Sequence, residues 1–170
     1  MPDQDGKEIA QGVLTKMAEF RKSCEGLDEE NSSRAPEGRW SPKQIISHLC
    51  GSEGGGHLKI LKSFIELDKP EIDLDPENTH WTGKRSRMSL AELLSEFDQE
   101  YTRIATFVEG LSEKELLRSA HIPALKDSPL GEYPTLAQLA TGLSNYHISF
   151  HIDHMREILQ ALGRPGGKTD

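Results

Sequence analysis

Three histidines crowd one short stretch near the C-terminal end of the chain, Tyr146-His147-Ile148-Ser149-Phe150-His151-Ile152-Asp153-His154. On a helical wheel at about 100° per residue, His151 lies about 40° from His147, and His154 about 20° away on the other side. Leu143 and Ile158 fall on the same line, so the imidazoles interrupt an apolar stripe and face the interior of a helical fold. A buried imidazole needs a hydrogen-bond partner or bears a desolvation cost, and three on one stripe strain the reading of each as a satisfied core residue. Neutral imidazole is the commonest metal ligand, and an i, i+4 pair stacks two rings where they can converge on one ion. From His147 to His154 the helix rises about 10.5 Å, too far for all three to close comfortably on one ion with bonds of about 2.1 Å. The spacing leaves His147 with His151, or His151 with His154, and favours the i, i+4 pair. His154 is then an outer partner, an alternative ligand or a core residue.

A third ligand must come from another element. His48, in Ser41-Pro42-Lys43-Gln44-Ile45-Ile46-Ser47-His48-Leu49, flanks the stripe that carries Ile45 and Leu49. His57, nine residues further along what reads as the same helix, points to roughly the opposite side and is expected at the surface. His80 and His121 fall in loops and are weaker candidates, though either loop could fold over the site. Glu77-Asn78-Thr79-His80 has the Glu-x-x-His spacing of carboxylate di-iron bundles. Those need two such motifs on helices and two more helical carboxylates, so that chemistry is rejected.

The elements that position these residues are marked by their caps. A Ser or Thr three residues before Glu or Gln satisfies two orphan amides at a helix start. That pattern occurs at Ser41–Gln44, Ser89–Glu92, Ser112–Glu115 and Thr135–Gln138, and Asp5 with Glu8 is a weaker version. Behind the caps run four helical stripes: Ile9 to Phe20; Ile45 through Gly56 to Phe64; Leu90 to Leu111; and Leu136 to Leu162. Gly54-Gly55-Gly56 inside the second of these either lets another helix approach or marks a kink. No apolar/polar alternation is flanked by hairpin turns, so no strand is expected. The prediction is an all-α four-helix bundle with a minor helix near 112–118. Its connections, at about 27–40, 67–88 and 111–134, are long enough to cross the bundle and to cover one end of a pocket. Residues 1–7 are expected as a flexible N-terminus, 8–162 as one domain, and 163–170 as a disordered tail after Gly163 and Pro165.

The chain has 170 residues, with 20 Lys and Arg against 28 Asp and Glu, a formal charge of −8. An acidic surface argues against a nucleic-acid role, where phosphates demand a basic face. No apolar run approaches the roughly 20 residues that span a bilayer, and the opening residues lack the pattern of a signal peptide. The two cysteines, Cys24 and Cys50, form no C-x-x-C and fit a reducing compartment, so a soluble cytoplasmic protein is expected.

Trp40-Ser41 followed by His48-Leu49 and Glu53 resembles the W-S…H-L helix start of the DinB/YfiT-like metalloenzyme superfamily. His147-x-x-x-His151-Ile152, leading to Arg156 and Ile158, looks like that family's C-terminal H-x-x-x-H helix. The two motifs in the right order extend the resemblance over about residues 8–162. The resemblance implies a bundle with crossed connections, often a homodimer. It implies one divalent ion, Ni or Zn, on His48, His147 and His151; His154 stands where many relatives have Gln.

Three histidines with an open coordination position suit a catalytic ion rather than a closed structural one. Characterised relatives include transferases that use a low-molecular-weight thiol, and hydrolase activity is attached to other parts of the family. The expectation is therefore a metal-dependent transferase or hydrolase acting on a small molecule. The competing readings are a non-catalytic metal-binding stress-response protein and a structural bundle with core histidines. Glu53, about 140° round the helix from His48, is a candidate base or outer acceptor. Trp40 and Tyr146 are candidate walls of the site. Cys24 and Cys50 read as small buried residues.

Overall fold

A computed structural model describes residues 5–163. Its helices are α1 (Gly6–Ser23), α2 (Glu29–Ser32), α3 (Pro42–Cys50), α4 (Gly56–Glu66), α5 (Gly83–Ser86), α6 (Leu90–Glu109), α7 (Glu113–Leu116), α8 (Leu136–Gly142) and α9 (Ser149–Ala161). A π-helical stretch, Leu143–Ile148, joins α8 to α9 in one continuous rod. All four capping boxes form, at Ser41, Ser89, Ser112 and Thr135, and a fifth pairs Asp28 with Asn31. Asp5 accepts from the Glu8 amide at 2.9 Å, so α1 begins at Gly6, inside the segment expected to be flexible. Residues 1–4 and 164–170, which hold the rest of the two expected flexible ends, lie outside the described residues.

The apolar stripes explain the packing. α1 packs on α6 and on the α8–α9 rod, while α3 and α4 pack on the same two from the other side. The first and second stripes therefore sit across a diagonal, and so do the third and fourth. The connections 24–41 and 110–135 must each cross the end of the bundle, which is why they are long. Phe20, Leu49, Phe64, Phe97, Tyr101 and Ile104 are wholly buried where the four stripes meet. The one polar end in that group, the Tyr101 hydroxyl, donates to the Leu49 carbonyl at 2.9 Å. Among the described residues no segment forms a strand; two isolated bridges, Glu71 with His121 and Ser119 with Thr135, tie the long connections together. No helix of the described residues is long and apolar enough to cross a membrane.

The second stripe corrects the sequence reading. One continuous helix was expected across Gly54–Gly56, but the chain stops at Cys50 and restarts at Gly56. Gly51, with φ of 75°, ends α3 in a conformation that side-chain-bearing residues avoid. Gly56, with φ of 56°, starts α4 so close to its neighbours that a Cβ there would lie 2.5 Å from Glu100 Oε1 and 2.7 Å from the Cys50 carbonyl. Glu100 has its carboxylate buried in that gap and accepts from the Leu58 amide at 2.9 Å, capping α4 from another helix. Gly56→Ala is thus expected to cost about 2 kcal/mol or more, from backbone strain together with contacts that must shift. A urea midpoint unchanged from the parent protein would refute this account of the break.

Candidate metal centre

The helices bring together three imidazoles from distant parts of the chain. One ring nitrogen from each of His48, His147 and His151 lies within 4.8 Å of the other two. His48 sits in the last turn of α3, His147 in the π-helical stretch and His151 in the first turn of α9. Nε2 of His48 and Nε2 of His147 stand only 2.9 Å apart. The π-helical turn matters here: a wider turn re-aims side chains relative to the 100° wheel, and such turns recur at functional sites.

Each ring's outer nitrogen has its own surroundings. His48 Nδ1 donates to the Asn78 carbonyl at 2.7 Å, which fixes the tautomer and leaves Nε2 as a bare lone pair directed at His147. His151 Nδ1 meets His154 Nδ1 at 3.2 Å, so His154 is an outer neighbour of the cluster. His147 Nδ1 is buried with no partner. Trp40 covers the rings, its centroid 5.1 Å from that of His48, 5.6 Å from that of His154, and stacked at 6.2 Å over His151.

Burial sets the charge state. Desolvation holds His48 and His154 below the ordinary histidine range and drives His147 well below it; His151 is pushed down to about 3. His57 is pushed down to about 4, first by burial and then by the neighbouring histidines. Near pH 7 the cluster is therefore neutral, as ligation requires. The donor set fits a divalent ion: three neutral nitrogens gathered within 4.8 Å of one another, with one tautomer locked by a carbonyl.

These shifts imply a pH dependence of the metal-free fold. A histidine at about 6.5 when unfolded and 3 to 4 when folded binds more protons in the unfolded chain between those values. Stability therefore rises with pH across that window and is lost as pH falls from about 6.5 toward 4. His57 and His151 are each expected to cost about 2 kcal/mol at pH 5. Urea titrations of chelated protein at pH 7.5 and pH 5 check this. Equal midpoints would refute it, and His57→Leu should reduce the slope.

The remaining candidates divide clearly. His57 was expected at the surface. Because the chain breaks between α3 and α4, its phase is reset and its ring turns inward, 5.7 Å from His147 and edge-on to it. Its Nε2 is buried without a partner. His80 stacks at 6.4 Å from His48, whereas His121 sits apart between Glu71 and Glu132, against Tyr133. Glu53 is exposed in the break, lining neither of the two cavities that adjoin the cluster. Tyr146, 57% exposed, stands at the mouth of the larger one. Cys24 and Cys50 are buried, and burial pushes the Cys50 thiol up to about 12, which keeps it a neutral packing group.

Arg85 is a residue that the sequence reading missed. Its side chain is fully buried, and Nη1 donates to the carbonyls of Ser47, Gly51 and His80 at 3.1, 2.6 and 3.1 Å. Nη2 pairs with Glu96 at 2.6 Å. The guanidinium thereby clamps the C-terminal end of α3, which carries His48, to the loop that carries Asn78 and His80. Nothing in a lone arginine after a Pro-containing loop announces this.

Two cavities open onto the cluster. The smaller, about 370 Å³, lies beneath Arg39, Trp40 and Glu77 and reaches His151 and His154. The larger, about 700 Å³, reaches His57 and His80. His48, His147 and Phe150 border both.

A family model described as the DinB superfamily matches residues 15–158. Among solved structures the chain is similar to YfiT from Bacillus subtilis, described as a probable metal-dependent hydrolase with an unusual four-helix bundle topology. The TM-score is 0.74 at 19% identity, covering 96% of this chain and 90% of that one. At that identity the likeness concerns the fold. No curated protein matches.

Proposed function

The chain belongs to the DinB superfamily, and on that premise we propose that it is a divalent-metal enzyme acting on a small molecule, with His48, His147 and His151 holding the ion. The observation that carries this is the convergence of three neutral imidazoles, two buried and one half-buried, from α3, the π-helical stretch and α9. An ion bound there supplies a Lewis acid and an open position for water, a carbonyl or a thiolate. Around it, Asn78 orients His48, His154 orients His151, and Trp40 keeps bulk water from the ring faces. Nickel or zinc suits an all-nitrogen donor set.

The two cavities favour transfer between two organic molecules over simple hydrolysis. Water needs no pocket of its own, whereas a cosubstrate such as a low-molecular-weight thiol does. Arg39 and Trp40 give the smaller cavity a cation and an aromatic face for such a molecule. The proposal includes a homodimer, which rests on the family resemblance and is checked by light scattering, and a cytoplasmic location, which the pair of cysteines without a C-x-x-C spacing fits. Elemental analysis of untagged protein should find about one divalent ion per chain. Incubation with a panel of thiols and electrophiles should then show thiol consumption that depends on that ion. Metal-free protein with no thermal response to Ni or Zn would leave a structural bundle. Bound metal without turnover of any pair would favour a binding protein.

A further inference from the structure

The larger cavity has a charge pattern of its own. Its walls are Ile60, Leu74, Leu130, Leu139 and Leu143, and its volume of about 700 Å³ suits a small organic molecule. Among the described residues no Lys or Arg lines it. The histidines that line it are held below the ordinary range by burial and are neutral near pH 7. Its charged groups are two carboxylates, Asp73 and Asp75, both exposed where the cavity opens to solvent. Among the described residues neither is paired with a cation. Backbone contacts hold them in place. Asp75 Oδ1 accepts from the Glu77 amide at 3.0 Å. The Ile72 amide donates to the His121 carbonyl at 2.8 Å, tying this connection to the one that carries Leu130. Tyr146, on the π-helical stretch, and Phe150, on α9, add two exposed aromatic rings to the same lining. Two carboxylates and two electron-rich ring faces thus favour the same partner, a cation.

We propose that this cavity is the substrate site for a molecule with a hydrocarbon or aromatic body and a positively charged amine. The body lies against the leucine and isoleucine walls, and the ammonium stands at the opening beside Asp73, Asp75 and the two rings. A carboxylate-bearing molecule of the same shape meets two like charges and no cation to offset them. A neutral one gains the apolar burial without the attraction. Two carboxylates each about 5 Å from an ammonium in water together favour it by about tenfold. The inference rests on the metal-enzyme reading for the reaction at the histidines, but the selection by charge exists with or without the ion.

The test uses three probes with one ring system, 2-naphthylmethylamine, 2-naphthalenemethanol and 2-naphthoate, titrated by fluorescence at pH 7 and about 20 mM salt, where screening is weak. Chelated protein is used, so that no ion attracts naphthoate or takes the amine as a ligand. The amine is expected to bind at least about fivefold tighter than the alcohol, and the alcohol at least about fivefold tighter than naphthoate. At about 0.5 M salt the amine and the alcohol should come within about threefold. Asp73→Asn with Asp75→Asn should do the same at low salt, by weakening the amine and leaving the alcohol unchanged. Glu109→Gln with Glu113→Gln, two exposed acids outside the cavity, should keep the preference, which separates the local carboxylates from the net charge of −8. Leu130→Trp should weaken amine and alcohol alike by filling the cavity, and Leu74→Trp, on the other connection, serves where that variant does not fold. Equal binding of amine and alcohol by the parent protein overturns the proposal. So does a preference that survives the paired aspartate change or is lost in the paired glutamate one, or binding indifferent to the tryptophan variants. Zinc affinity is measured separately. Protein that binds zinc without the preference sinks the cavity reading alone, and protein with the preference but no zinc sinks only the metal reading.

Discussion

Alanine at His48 or at His151 is expected to weaken divalent-metal binding by more than about a hundredfold, while His57→Ala changes it by less than about tenfold. Binding free energies of roughly 10–16 kcal/mol for tight zinc sites, shared over three or four protein ligands, put each ligand near 3 kcal/mol. His57 lies 5.7 Å from His147, ring to ring, and stands outside the triad whose nitrogens converge within 4.8 Å. Its loss removes a neighbour, and neighbours typically contribute about ten- to a hundredfold only when they hydrogen-bond a ligand. Competition with a chromophoric chelator measures all three variants. In the parent protein, metal at a hundred times its Kd should stabilise by about 2.7 kcal/mol, raising Tm by roughly 5–10 °C in a chain of this size. Equal losses for His48, His151 and His57 would show that the triad is wrongly drawn.

Arg85→Ala is expected to destabilise the fold by about 3–5 kcal/mol, lowering Tm by roughly 10–15 °C, and to weaken metal binding even though Arg85 is not a ligand. Removing the guanidinium leaves the Ser47, Gly51 and His80 carbonyls and the Glu96 carboxylate without the donor that now serves them. Each lost partner costs the desolvation of the group left behind, which exceeds the net worth of the bond. His48 immediately follows Ser47, and its own partner Asn78 lies two residues before His80, so loosening this clamp loosens a ligand and its support together. Arg85→Lys keeps the charge but loses the planar fork, and is expected to recover less than half of the stability. A Tm within 2 °C of the parent for Arg85→Ala, measured by calorimetry, would refute the clamp.

The parts of the fold legible in the sequence were those built from local interactions. Ser41–Gln44 and its three counterparts each place a side-chain acceptor three residues from an amide, and the structure forms all four boxes. The stripe from Leu90 to Leu111 needed only a 3.6-residue period to be read, and α6, Leu90–Glu109, carries it. Gly54-Gly55-Gly56 was visible as a weakness, but its form was not, because a run of glycines permits a kink, a close contact or a break alike. The acid that decides among them, Glu100, comes from another helix. His57 was misplaced for that reason: its wheel angle was counted through a helix that stops at Cys50.

What the sequence determined by itself is a set of helices with caps, one acidic surface, and two histidine motifs whose spacing suits a metal ion. These follow from contacts within a few residues, where chain connectivity dictates geometry. The diagonal packing of the four stripes, the π-helical re-aiming of His147, the inward turn of His57 and the burial of Arg85 were decided only by tertiary structure. Each depends on groups that lie far apart in the chain and meet because apolar stripes must be buried against one another. Once that burial excludes water, every polar group carried inward must find a partner, and the search for partners is what drew Arg85 and Asn78 toward His48 and left His57 facing an apolar cavity.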